Sequence, residues 1–214
     1  EGPEDVMNLL KKVWNPALEK AKEERAQMQK IIDKEGKDID LKSWDWWYYA
    51  EKLRKQKYNL NDSELRPYFE LAKVRDGAFD VANKLYGLKF TELKDLPKPH
   101  PDAEVFKVEE SDGSHVGLLY LDFFPRESKN GGAWCGGYRS HYQTQDGKEI
   151  HPVVTVVTNF TTPTEDKPSL LSLDEVNTLF HEFGHALDGL LAQNKYPRTH
   201  IPRDFVELPS QIME

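Results

Sequence analysis

The sequence predicts an α+β, mainly helical fold. Apolar residues recur at helical spacing through residues 1–88, the period drops to two between residues 104 and 160, and helical spacing returns from Ser172. Residues 1–88 therefore read as a helical segment. Residues 89–214 read as a second part, a small antiparallel sheet with two further helices. A chain of 214 residues can bury a sizeable core. Only 38% of it is apolar and 31% is charged, a balance that suits a piece of a larger body.

Val6, Leu9, Leu10 and Val13 form an apolar stripe within a helix expected over residues 4–33, which Pro16 should kink or divide. Residues 42–57 make a second helix. Its dense aromatics, Trp44, Trp46, Trp47, Tyr48 and Tyr49, are expected to pack a core. Asn61-Asp62-Ser63 caps a broken helical stretch that Gly87 closes after Tyr86. Three prolines between Lys94 and Asp102 mark a connector. Glu104–Glu109 and Val116–Phe124 read as strands joined through an Asp112-Gly113 turn, and Asp146-Gly147 marks another turn. Gly131, Gly132, Gly136 and Gly137 surround Trp134 and read either as tight turns beside the sheet or as a backbone that meets a ligand. They lack the Gly-Lys-Ser/Thr ending of a phosphate loop. Val153–Phe160 is a strong strand, either interior or at an edge where an extended peptide would add to it.

The net charge of −8, with no basic cluster, argues against nucleic acid and anionic membranes as partners. No apolar run is long enough to span a bilayer and no signal peptide is visible, so a cytoplasmic monomer is expected, with the periplasm as the alternative. Cys135 is the only cysteine, which excludes an internal disulfide and cysteine-based zinc sites.

The stretch that carries chemistry is His181-Glu182-Phe183-Gly184-His185, an H-E-x-x-H pattern. On a helix its two histidines lie one turn apart on one face and can bind a single zinc ion, with Glu182 beside the open position. Ser172 and Glu175 form a capping box ahead of it. Val176, Leu179, Phe183, Leu187 and Leu190 make the apolar face, while Asn177, His181, His185 and Asp188 share another. The pattern points to metal-assisted hydrolysis; the bland alternative is a pair of core histidines satisfied by hydrogen bonds. A third ligand is needed. Asp188 and Leu191 exclude the pattern with a third histidine six residues on. A carboxylate from the following helix remains, and spacing leaves both Asp204 and Glu207 open. His100, His115, His141, His151 and His200 lack ligand spacing and read as surface or turn residues, with His200 lying between the two zinc-bearing segments.

Several stretches together resemble the thimet oligopeptidase family of zinc metallopeptidases, most closely its bacterial peptidyl-dipeptidase branch. They are Trp44-Asp45-Trp46 with residues 48–54, Gly77–Ala82, Gly117–Trp134, Asn159-Phe160-Thr161, the H-E-x-x-H helix and Pro202–Gln211. The resemblance implies a gluzincin-type fold and one Zn2+ per chain. It makes His181, His185 and Glu207 the ligands and Glu182 the catalytic carboxylate, with Asn177 and Glu214 supporting the ligands. It implies short peptides as substrates and release of C-terminal dipeptides, with internal cleavage or a catalytically incomplete zinc-binding fragment as alternatives. Family members are much longer and supply a Tyr and a His from well downstream, so this chain is expected to be a central fragment that lacks the downstream part. The loop around residues 195–202 is shorter than the family's, and Asp188 stands where the family has His.

Overall fold

The computed structural model describes residues 2–59, 62–197 and 201–214. The chain forms two compact units, residues 1–61 and residues 62–214.

The first unit is built from α1 (Pro3–Lys34) and α2 (Trp46–Tyr58). Pro16 sits inside α1 without dividing it. Within this unit Met28, Ile31, Ile32, Leu41 and Tyr49 make the core, and Trp46 and Leu53 pack against it. The stripe Val6, Leu9, Leu10 and Val13 lies on α1 and is exposed. One expectation is corrected. Of the five aromatics, only Tyr49 is buried; Trp44, just before α2, and Trp47 on it are 79% and 82% exposed. A two-helix unit has one small apolar seam, which Tyr49 and Ile32 already fill. The Tyr48 and Tyr49 rings instead lie near the ammonium groups of Lys37 and Lys52.

The second unit opens with α3 (Asp62–Leu65), a 3₁₀ turn over Arg66–Tyr68 and α4 (Leu71–Tyr86). Gly87 closes α4 in the left-handed conformation, φ +76°. The expected cap residue Asn61 lies outside the described residues. Although α4 falls within the 1–88 segment of the sequence reading, its buried face of Leu71, Val74, Ala78 and Ala82 belongs to the core of this second unit.

Among the described residues seven strands follow: β1 (Lys89–Glu92), β2 (Glu104–Glu109), β3 (His115–Asp122), β4 (Trp134–Arg139), β5 (Tyr142–Gln143), β6 (Glu149–Ile150) and β7 (Val153–Val157). Five of them form one sheet in the order β1-β2-β3-β7-β4. The sheet is mixed, which corrects the expected antiparallel one: β3 and β7 run parallel, with Leu118 opposite Val153 and Leu121 opposite Val156. A parallel neighbour needs a long crossover, and residues 123–152, carrying β4 and the small β5–β6 pair, provide it. β7 is therefore interior, bonded on both sides, and β4 forms the sheet edge.

The core lies between the sheet and the last helices, α5 (Leu173–Leu191) and α6 (Glu207–Met213). Leu179, Phe183, Ala186, Leu187 and Leu190 of α5 pack with Phe106, Leu119, Leu121, Val154 and Val156. Gly117 lets α5 and the chain before β7 approach β3: a Cβ there would lie 2.7 Å from the Pro152 carbonyl oxygen and 3.1 Å from Leu190 Cδ2. Among the described residues no helix is long and apolar enough to cross a membrane.

Candidate metal centre

The centre is built on α5, and its start is firmly set. Ser172 Oγ accepts from the Glu175 backbone N–H at 3.2 Å, and Glu175 Oε2 accepts from the Ser172 N–H at 2.7 Å. This reciprocal cap fixes the register of the helix. Its apolar face is then committed to the sheet, which turns His181 and His185 toward a cleft of about 1230 Å3. One wall of the cleft is β4, from Trp134 to Arg139; the other includes Phe205, Val206 and Glu207.

His181 and His185 stand one turn apart with ring centroids 5.0 Å from each other. Glu207 Oε2 lies 3.2 Å from His181 Nε2 and 3.2 Å from His185 Nε2. Donors held about 2.0–2.1 Å from one tetrahedral ion are about 3.3 Å apart, so one carboxylate oxygen equidistant from two imidazole nitrogens fits a shared zinc ion. Among the described residues these three form the one group of three or more potential ligands whose donor atoms converge. Asp204, left open by spacing, is not in it.

Glu207 opens α6, and Ser210 holds it. Ser210 Oγ lies 2.9 Å from Glu207 Oε2 and 2.9 Å from the Glu207 carbonyl oxygen. The Ser210 hydrogen bond, with the nearby histidines, keeps the Glu207 carboxyl below its usual range and so ionised. His181 Nδ1 is buried without a hydrogen bond, and its nearest acid is Glu214 Oε2 at 3.5 Å. That places Nε2 toward the ion site and Nδ1 toward a carboxylate, the arrangement that orients metal-bound histidines. Asn177, named beside Glu214, is exposed, and no hydrogen bond ties it to the ligands among the described residues.

Glu182 is only 7% exposed. Burial pushes its carboxyl up, Glu207 adds to that, and the two histidines and the Cys135 backbone N–H oppose it. A carboxyl so placed exchanges a proton more readily near neutral pH than an exposed glutamate. Asp188, one turn beyond His185, lines the cleft, and its carboxyl is likewise raised by burial. His200 lies outside the described residues.

Sequence reasoning passed over three residues that shape this centre. Ser210 fixes the third carboxylate. Cys135 offers its backbone N–H to Glu182. Gly184 lets the two helices touch, and a glycine inside an otherwise strong helix was its available signal.

Comparison with known proteins points to a class of peptidases. The profile of peptidase family M3 matches residues 1–214, and the chain belongs to that family. It is 43% identical to dipeptidyl carboxypeptidase of Escherichia coli (strain K12) over 99% of its own length. It is 37% identical to oligopeptidase A of the same organism over its whole length, and 36% identical to saccharolysin of Saccharomyces cerevisiae over 84%. It spans 31% of the first relative and 32% of the second, about a third of their length.

Proposed function

We propose that this chain carries the zinc site and the proton-transferring carboxylate of a gluzincin-type peptidase that removes C-terminal dipeptides from short peptides. The observation that carries the reading is Glu207 Oε2, held 3.2 Å from both His181 Nε2 and His185 Nε2 with Glu182 beside them. His181, His185 and Glu207 would hold the ion. A zinc ion in that position supplies Lewis acidity and makes water nucleophilic near neutral pH. Glu182 takes the proton of the attacking water and delivers it to the leaving amine; its burial suits both steps. Glu207 stays ionised under the Ser210 hydrogen bond, and Glu214 orients His181.

The exposed edge of β4 supports peptide rather than compact protein substrates. β4 pairs with β7 on one side only and leaves its other backbone groups facing the cleft, so an extended peptide can add there as a further strand. β7 itself, bonded on both sides, is closed to this role. The dipeptidyl carboxypeptidase relative favours exo-cleavage, and the oligopeptidase A relatives favour an internal cut as the second reading. A catalytically incomplete zinc-binding fragment is a third reading, since the chain spans about a third of those relatives. A cytoplasmic or periplasmic setting is compatible with either activity.

Glu182→Gln tests the role of the carboxylate. The variant should retain zinc and lose turnover, and an active variant with normal zinc content would remove Glu182 from the mechanism. An N-blocked pentapeptide then separates the two cleavage modes: a C-terminal dipeptide supports the first, and products of an internal cut the second.

A further inference from the structure

A second pair of histidines meets at the far end of the sheet. His115 begins β3, and His151 lies two residues before β7. The parallel register of these strands, with Leu118 opposite Val153, brings the two rings together. Their centroids are 4.8 Å apart with planes at 66°, against 5.0 Å and 84° for His181 and His185. Two imidazoles bound to one ion at about 2.0–2.1 Å, at angles near 90–110°, have centroids about 4.5–5.2 Å apart. Both pairs fall in that window.

A second observation is independent of spacing. Among the described residues two buried side-chain nitrogens or oxygens lack a hydrogen-bond partner, His181 Nδ1 and His115 Nδ1. A buried polar atom left unpaired costs about 1–3 kcal/mol, and an ion beside His115 would relieve that cost.

We propose that His115 and His151 form a second divalent transition-metal site, with the remaining coordination positions filled by water. The site fastens the starts of β3 and β7. It does not depend on the H-E-x-x-H centre. His141 stands behind His151, with centroids 6.5 Å apart, and is pinned through Nδ1 to the backbone of Asn194 at 3.1 Å. Its Nδ1 is thereby committed, and it is not a ligand of this site. Glu109, opposite His115 in the register, favours a cation; Lys107 and Arg139 oppose one. That balance disfavours hard ions bound by charge alone and selects metals with high imidazole affinity, in the order Cu2+ above Ni2+ and Zn2+.

Cu2+ titration of the wild-type chain and of the His115→Gln/His151→Gln double variant tests the site. Metal taken by His181, His185 and Glu207 is common to both proteins and cancels. The wild type should bind one more equivalent, with electron paramagnetic resonance coupling to two nitrogens, and should gain more in Tm on adding Cu2+. Equal equivalents in two folded proteins would overturn the site, as would a His115→Gln variant that keeps the equivalent. A readout on the wild type alone guards against a variant that fails to fold. Cu2+ should protect both His115 and His151 from diethylpyrocarbonate, and modification at an undiminished rate overturns the proposal.

Discussion

Gly184 and Ser210 meet where α5 and α6 cross. A Cβ on Gly184 would lie 2.6 Å from Ser210 Cα and 2.6 Å from the Pro209 carbonyl oxygen. Both obstacles are backbone, so no side chain can swing aside. The glycine between the two histidines thus sets the distance at which Glu207 arrives. Gly184→Ala should push α6 away and weaken zinc binding by about 10- to 100-fold, the range seen when groups that orient metal ligands are lost. Chelator competition on the folded variant measures this, and unchanged affinity would show that α6 adapts without moving Glu207.

Replacing the two carboxylates that spacing left open distinguishes them. Glu207→Ala should strongly weaken zinc binding, because one of three protein donors is gone. Asp204→Ala should leave it unchanged, since Asp204 is absent from the converging donors. Zinc per chain after dialysis decides; the reverse pattern would reassign the third ligand.

Asp122 anchors the loop that leads to the cleft wall. Its carboxylate accepts from Arg126 Nη1 and Nη2, both at 2.8 Å, and from Lys129 Nζ at 3.0 Å. Burial pushes the Asp122 carboxyl up, but these partners outweigh it and hold it below the usual range. A depressed folded pKa contributes stability above the unfolded value that is lost as pH falls through the folded one. Asp122→Asn leaves the buried Lys129 uncompensated and should cost about 3 kcal/mol at neutral pH. The gap should begin to close as pH falls below about 4, the unfolded value, and vanish only below the lower folded value, where the native carboxylate is also neutral. Urea unfolding across pH tests this, and a gap independent of pH would remove the ion pair as its cause.

Cys135 should be inert in the native chain. Burial, with the negative Glu182 and Asp188 nearby, pushes its thiol up to about 12. Alkylation proceeds through the thiolate, so iodoacetamide at pH 8 should label the chain only on unfolding. Rapid native labelling would contradict the burial.

What the sequence disclosed depends on how local each feature is. The Ser172–Glu175 cap, the apolar face of α5 and the left-handed Gly87 are set within a few residues and were legible. The parallel β3–β7 pairing was not, because it joins segments across 30 intervening residues, 123–152, and alternation looks the same in either direction. For the same reason His115 and His151 read as isolated surface residues. The exposed Trp44 and Trp47 at the start of α2 show the opposite failure: local composition suggested a core, but a two-helix unit has too little seam to hold them. In the metal centre, i, i+4 spacing put His181 and His185 on one face. The choice between Asp204 and Glu207 rested on where α6 begins, a boundary that sequence pattern locates least well.

The strand order also has a consequence for biosynthesis. In the sheet β4 pairs with β7 alone, and β7 is made last of the sheet's strands. As the polypeptide leaves the ribosome, β4 must wait unpaired until Val153–Val157 emerges and slots between it and β3. For that interval both β3 and β4 present open edges, the state most prone to association with other nascent chains. The Asp122–Arg126–Lys129 cluster lies wholly within the earlier segment and can close before β7 exists, so it can hold the waiting strand near its future neighbour.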